Sequence, residues 1–493
     1  MVYTQNFNIP EKVSRVTSAL QQAGYEAYIV GGCVRDMCMG ITPKDWDITT
    51  NATPEQVIPL FAKAVHENNF GMVAIIDEEE PLESPFRSIE VTTYRSETTY
   101  TNNRHPDHIT YAQTLREDVR RRDFTMNALA YDVEKGELID YYDGLKAIQE
   151  KLIVTVENPH DRFEEDALRI MRAIRFTAQL GFHIEPQTEQ ALSAYAQNLS
   201  TISVERIRDE FVKLIMSAHP MHGLQKAHTL GIMHYISPEL IEGVGVDQSR
   251  NHVYDVWEHN LRALQKTADE QWPLYLRLAA LFHDVGKPRT RRRDTKKNIY
   301  TFYGHEVVGA KMTKEFMKRL RFPKKTTDEV VKLVRYHMFF SDPEQITLSA
   351  VRRMITHVGK EYIWDLMKLR RADRIGMGRP QAAPYRLRKY EAMIEQALRD
   401  PISVQQLNIN GDYMIKDMGM KPGPRMGWML HALLEEILEQ PENNTREWLI
   451  ERVKDLDELD DETLRKLGEK GKSTKEQHEE ESIRDIHKKH GVA

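Results

Sequence analysis

Cysteine is almost absent from this chain. Its 493 residues include two, Cys33 and Cys38, too few for a disulfide framework or a four-thiolate zinc site. Long apolar runs are lacking too. No stretch approaches the roughly 18 apolar residues of a membrane helix. The opening Met1-Val2-Tyr3-Thr4 has no basic region ahead of an apolar core. We therefore expect no membrane, no secretion and a cytoplasmic location. A basic excess is also missing. The net charge is −6, which argues against sequence-blind nucleic-acid binding over the whole surface but permits a local basic one. With 40% hydrophobic and 29% charged residues, the composition is globular, and the length calls for about three domains.

What is present changes character near residue 150. Before it, β-type runs alternate with turns: Ala27-Tyr28-Ile29-Val30, Trp46-Asp47-Ile48-Thr49-Thr50, Met72-Val73-Ala74-Ile75-Ile76 and Ile89-Glu90-Val91-Thr92-Thr93-Tyr94, all rich in β-branched or aromatic residues. Thr53-Pro54 marks a helix start. Segment 96–114 is polar and aperiodic and reads as a long loop. Beyond residue 158 the patterning is almost wholly helical. Boundaries are expected at 243–246 and 376–384. From Lys454 acidic residues outnumber basic ones and aromatics are absent, which predicts a frayed or disordered tail. The expectation is therefore an α/β head with a small mixed sheet (1–150), a helical neck (151–242), a further helical module (243–380), a helical tail domain (381–453) and a charged tail (454–493).

Chemistry first suggests itself at Gly31-Gly32-Cys33-Val34-Arg35-Asp36. Glycines following a strand and entering a helix let the backbone approach an anion. Nine residues on stands Asp45-Trp46-Asp47. If a strand runs through it, both carboxylates point to one face and can share Mg²⁺, a hard cation that takes oxygen ligands. Taken alone, the first motif is equally an ordinary tight turn and the second a solvated strand end.

Together they resemble the catalytic head of the class II nucleotidyltransferases, the group of tRNA CCA-adding enzymes and bacterial poly(A) polymerases. Further segments follow in that family's order. Arg121-Arg122-Asp123-Phe124-Thr125-Met126-Asn127 resembles its ribose-contacting segment, and Asp140-Tyr141-Tyr142-Asp143-Gly144 its next turn. The resemblance makes Asp45 and Asp47 the catalytic Mg²⁺ ligands and assigns nucleotide binding to Gly31, Gly32, Arg35, Arg122, Asp123 and Asn127. It also places a loop needed for terminal A addition at 96–114.

Glu165-Asp166-x-x-Arg169 lies on a helical pattern, with Arg172 and Arg175 on the same drifting face. By itself this is also an ordinary i,i+4 ion pair. Beside a nucleotidyltransferase head it reads as a protein template. A carboxylate only accepts and a guanidinium only donates. Cytosine and adenine each show an amino donor beside a ring-nitrogen acceptor, whereas uracil and guanine show the reverse. Asp166 with Arg169 thus suits CTP and ATP. The family resemblance gives this motif the same role, with Arg172 and Arg175 assisting. Ser203-Val204-Glu205-Arg206-Ile207 matches the family's last neck motif and is equally a capped amphipathic helix.

A second constellation follows: His259, His283-Asp284 with Lys287 three residues on, His305, His337 and Asp373. Imidazole and carboxylate ligands suit Mn, Fe, Co, Ni or Zn, and Mg less tightly. The order resembles the HD phosphohydrolase superfamily. That resemblance gives a first metal to His259, His283, Asp284 and Asp373, a second to His305 and His337, and a substrate phosphate to Lys287. The divalent metal is Mn, Ni, Co, Fe or Mg. Towards the C-terminus, Pro422-Gly423-Pro424 opens a helix suited to a phosphate backbone and is equally a simple joint between two helices; the pattern resembles the tail of Gram-positive CCA-adding enzymes, which reaches the tRNA elbow.

The resemblance as a whole implies addition of CCA to tRNA from CTP and ATP by two-metal transfer, with tRNA and not DNA as partner, and metal-dependent phosphohydrolysis in the HD module. A poly(A) polymerase or A-adding enzyme shares the head. An HD nucleotide hydrolase with a regulatory head, or a non-catalytic RNA-binding protein, would leave the Asp45/Asp47 pair without a use.

Overall fold

A computed structural model describes residues 1–68, 71–81, 83–97, 100–101, 105–106, 109–248, 253–339, 346–379, 383–398, 407–470 and 490. The chain forms two compact units, one of residues 1–337 and 372–380, the other of 338–371 and 381–493.

The first unit opens with one eight-stranded mixed sheet. Its strands are β1 (Val2–Thr4), β2 (Ala27–Val30), β3 (Asp47–Thr50), β4 (Ala64–Asn68), β5 (Met72–Ile76), β6 (Ser88–Thr93), β11 (Leu129–Asp132) and β12 (Glu137–Asp140), in the order β1-β12-β11-β2-β3-β6-β5-β4. Every pairing is antiparallel except β3 with β6, which run parallel with Asp47 opposite Glu90. β2 and β5 match the apolar runs residue for residue. Helix Glu11–Gln22 buries Val13, Val16 and Leu20, and Gly31 alone turns the chain from β2 into helix Gly32–Cys38.

Two expectations change in the head. The strand begins at Asp47, so Asp45 stands in the bend before it. Within 96–114, the described residues include paired strands rather than one aperiodic loop: β7 (Arg95–Glu97) with β10 (Ile109–Tyr111), and β8 (Tyr100–Thr101) with β9 (His105–Pro106). Polar threonine, tyrosine and histidine hide a two-strand ribbon because its pairing needs no apolar face. Residues 98–99, 102–104 and 107–108 lie outside the described residues.

From Pro159 to the end of the first unit the described residues are mainly helical, with the strand His183–Ile184, parallel to Leu152–Ile153, and the hairpin Arg292–Asp294 with Ile299–Thr301. The second unit has a core of its own. Leu407, Met414, Met429, Leu433, Leu449, Val453, Leu456 and Leu464 are buried together. Pro424 is the first residue of helix Pro424–Glu439, as expected. Residues 461–470 are helical and bury Leu464, so the charged stretch after Lys454 begins as packed structure. Leucines spaced through acidic sequence supply one apolar stripe, which composition averaged over the segment conceals. Residues 471–489 lie outside the described residues.

Candidate functional sites

At the head, local geometry follows from Gly31. Its φ of +84° is a conformation that glycine adopts without strain. A Cβ there would sit 2.7 Å from Arg122 Nη1 and 3.6 Å from Asp47 Oδ2, so the turn leaves room for a guanidinium beside the carboxylate. Asp47 is half-buried and Asp45 exposed. Burial raises the Asp47 carboxyl, Arg122 opposes the rise, and the charge of Asp45 adds to it. Two carboxylates that repel one another at the mouth of a strand fit a hard cation, which would relieve both terms.

Asp118, fully buried, organises the arginines. Its Oδ1 accepts Arg121 Nη2 at 2.9 Å, while Oδ2 accepts the Thr49 hydroxyl at 3.1 Å and lies 3.7 Å from Arg122. Burial alone would raise its carboxyl; Arg121 and Arg122 outweigh that and lower it. Neither Asp118 nor Glu90 stands out in the sequence. Glu90 meets Asp47 only through the parallel β3–β6 register, which local patterning does not encode.

A chain of contacts joins the turn to the neck. Arg35 donates to Asn127 Oδ1 at 2.9 Å, and Asn127 donates to Asp123 Oδ1 at 3.0 Å. Asp123 Oδ2 holds Arg172 at 2.6 Å. Burial would raise Asp123, but Arg172 and Asn127 hold its carboxyl at about 2. The guanidinium groups of Arg35, Arg172 and Arg175 all lie against the Phe176 ring, at 5.3, 5.7 and 4.4 Å from its centroid. Arg175 pairs with buried Glu210 at 3.0 Å. Burial and the charge of Arg172 push Arg175 down to about 10.

Asp166 and Arg169 lie at the start of helix Leu168–Leu180, both engaged by protein. One oxygen of Asp166 accepts the Leu168 N–H at 3.0 Å, and the other holds Arg206 at 2.8 Å. Arg169 donates to Glu165 at 2.6 Å and to the carbonyls of Arg162 and Arg121 at 3.0 and 2.8 Å. The structure thus joins this motif to the Ser203–Ile207 segment through Arg206. Both side chains expected to read a base thus have protein partners in this structure.

The second site draws its ligands from widely separated helices. His259 is on helix Val256–Asp269, whose N-cap Asp255 accepts the Glu258 N–H at 2.7 Å. His283-Asp284 follows helix Leu274–Phe282, His305 begins helix His305–Arg319, His337 follows helix Lys324–Tyr336, and Asp373 is on Ile363–Gly376. Gly286 makes the junction possible: a Cβ there would sit 2.2 Å from the His305 carbonyl oxygen.

All six side chains are buried, and they form two groups sharing one residue: His259, His283, Asp284 and Asp373, and then Asp284, His305 and His337. Asp284 Oδ2 is 3.0 Å from His259 Nε2 and 3.3 Å from His283 Nε2, while Oδ1 is 3.2 Å from His305 Nε2 and 3.5 Å from His337 Nε2. His283, His305 and His337 each turn Nδ1 to a backbone carbonyl, of Ala280, Phe302 and Val334, at 2.7–2.8 Å. Carbonyls only accept, so each Nδ1 carries its proton and Nε2 is the nitrogen that each ring turns inward; burial would lower His283, but Asp284 and Asp373 outweigh it and raise the ring to about 10. The Nε2 atoms of His305 and His337 face each other 3.3 Å apart. That arrangement asks for a cation between them, and the donor set fits first-row divalent metals.

Lys287 does not face outward for a phosphate here. Its ammonium is buried and donates to Asp284 Oδ2 at 2.5 Å and Gln248 Oε1 at 2.6 Å. Gln248 carries no motif in the sequence and is visible only as this partner.

Comparison with known proteins matches residues 27–154 to the family described as Poly A polymerase head domain, 181–243 to Probable RNA and SrmB- binding site of polymerase A, and 251–375 to HD domain. A CCA-adding enzyme from Lactobacillus helveticus is 31% identical over 453 residues, covering 90% of this chain and 97% of its own. One from Bacillus cereus is 30% identical, covering 89% and 98%. Among solved structures, the Bacillus stearothermophilus CCA-adding enzyme in complex with CTP aligns with a TM-score of 0.60 at 27% identity, over 91% of this chain and all of that one. The Thermotoga maritima CCA-adding enzyme complexed with tRNA shares the fold, with a TM-score of 0.50 at 19% identity.

Proposed function

The chain belongs to the CCA-adding enzyme family, and from that membership we propose that it adds C, C and A to tRNA 3′ ends, taking CTP and ATP. The observation that carries this reading is the placing of Asp47, at the start of its strand and two residues after Asp45, beside the Gly31 turn and Arg122. Asp45 and Asp47 would hold Mg²⁺, which when bound assists the 3′-hydroxyl and neutralises charge on the phosphoryl oxygens. Gly31 and Gly32 let the backbone approach the triphosphate, and Arg35 would bind it. Arg122, Asp123 and Asn127 form the wall beside the sugar. Base choice falls to Asp166 and Arg169, assisted by Arg172 and Arg175. In this scheme an incoming base replaces Arg206 on Asp166, its amino group taking the place of the guanidinium.

The deciding assay offers each NTP separately to a tRNA lacking CCA and to one ending in CC. Incorporation of C on the first and A on the second is expected. A addition only to the CC end would identify an A-adding enzyme, and long A tracts a poly(A) polymerase.

The buried His-Asp site supports a second activity, metal-dependent hydrolysis of phosphomonoesters or 2′,3′-cyclic phosphates. His259, His283, Asp284 and Asp373 would hold one metal, and Asp284, His305 and His337 another. The joint variant His283→Ala/Asp284→Ala should lose hydrolysis with Mn²⁺, Ni²⁺, Co²⁺ or Mg²⁺ while nucleotide addition persists. Full hydrolysis by that variant would assign the activity elsewhere.

A further inference from the structure

Between Lys287 and His305 the chain departs from its acidic average. Residues 287–303 carry seven Lys or Arg and one Asp, within a protein of net charge −6. The segment forms the hairpin Arg292–Asp294 with Ile299–Thr301. Arg289 is neutralised by Glu242 at 2.7 Å. Arg292, Arg293, Lys296 and Lys297 are exposed, and none has a carboxylate partner among the described residues. Asp294 spends its carboxylate on the backbone N–H groups of Lys296 and Lys297.

Aromatic rings are interleaved with these cations. Arg291 lies 3.7 Å over the Tyr300 ring. Arg293 pairs directly across from Tyr300 and so shares its face. Tyr303 is 87% exposed, two residues before His305. Both ends of the hairpin are fixed to the metal-ligand cluster. Lys287 bonds Asp284, and the Phe302 carbonyl accepts His305 Nδ1.

Cations that follow a phosphate backbone, with aromatic rings for bases to stack on, are how proteins hold single-stranded nucleic acid. We propose that this hairpin binds a single-stranded RNA segment and delivers its terminal phosphoester to the His-Asp site. The site's substrate is then the end of an RNA strand rather than a free mononucleotide. This rests on the phosphohydrolase reading above and adds a substrate class to it. For a 2′,3′-cyclic end, one water adds to phosphorus, one ring P–O bond breaks, and the departing oxygen takes a proton to give a hydroxyl beside a phosphomonoester.

The test uses the full chain and the variant Arg292→Glu/Arg293→Glu/Lys296→Glu/Lys297→Glu, whose four positions are exposed. Two substrates are compared: a short oligoribonucleotide with a 2′,3′-cyclic end, and 2′,3′-cyclic CMP. We expect kcat/KM to fall tenfold or more for the oligonucleotide and to stay within threefold for the mononucleotide. The salt dependence of oligonucleotide binding should weaken by about one unit of log–log slope for each phosphate that the variant no longer neutralises. Equal effects on both substrates, or none, overturn the proposal, as does a loss confined to nucleotide addition on tRNA. If the wild type hydrolyses neither ester, the phosphohydrolase reading fails by itself. Fluorescence anisotropy of the labelled oligonucleotide then decides the hairpin, and unchanged affinity in the variant overturns it.

Discussion

Asp47 is held half-buried where the proposed chemistry needs it ionised, at a cost to the metal-free fold. Its carboxyl is raised by burial and by Asp45. A raised carboxyl pKa means that the folded state disfavours the charged form, so ionised Asp47 costs stability at neutral pH. Asp47→Asn should therefore melt, in EDTA, at the same temperature as wild type or higher. Its nucleotide incorporation should fall roughly 100-fold or more, since even groups behind metal ligands cost about 10–100-fold when removed. A variant that melts lower and keeps its activity would remove Asp47 from the metal assignment. Asp166 allows a complementary substitution. Asp166→Asn keeps an oxygen for the Leu168 N–H and replaces the other acceptor with a donor. UMP or GMP misincorporation should rise roughly tenfold or more, given about 1.5–3 kcal/mol per charged hydrogen bond. Unchanged selectivity among the four NTPs would count against the template.

Helix Val204–Ile215 is the element on which the neck depends. It supplies Arg206 to Asp166 and Glu210 to Arg175, and Phe211 packs edge-on against Phe316 at 5.6 Å. Phe316 in turn lies 4.6 Å from Phe282, next to His283. Glu210→Ala strands the buried Arg175 guanidinium and should cost about 3–5 kcal/mol in denaturant unfolding. A loss below about 1 kcal/mol would mean that water reaches Arg175. At this scale the sequence is informative but incomplete. The strands at Ala27–Val30 and Met72–Ile76 are legible because β-branched runs end at turn residues. The ribbon within 96–114 is not, since its polar strands carry no period-2 apolar signal. Glu90 and Asp118 are silent in the sequence for a related reason. Their places follow from which strand or side chain lies opposite, and such non-local pairing leaves no trace in a local window. The His-Asp residues are legible because a motif fixes their order, but their division into two groups about Asp284 belongs to the fold.

On the scale of the whole chain, the six metal-site residues run from His259 to Asp373, and the first unit brings them together from separate helices. Metal content should follow the two groups. Wild type loaded with Ni²⁺, which favours imidazole over the oxygen ligands of the head, should hold two ions per chain by elemental analysis, and His305→Ala/His337→Ala one. Two ions retained by that variant would refute the shared-ligand arrangement. Asp284 offers one oxygen to each group, and this has a consequence for charge balance. Two dications would be met by only two carboxylates, those of Asp284 and Asp373, with four neutral imidazoles. The filled cluster then carries a surplus of about two positive charges, before the Lys287 ammonium is counted. A buried surplus of that size calls for an anion as its completing ligand. The fully loaded protein should therefore retain inorganic phosphate that the metal-free protein releases, and phosphate should compete with any ester substrate.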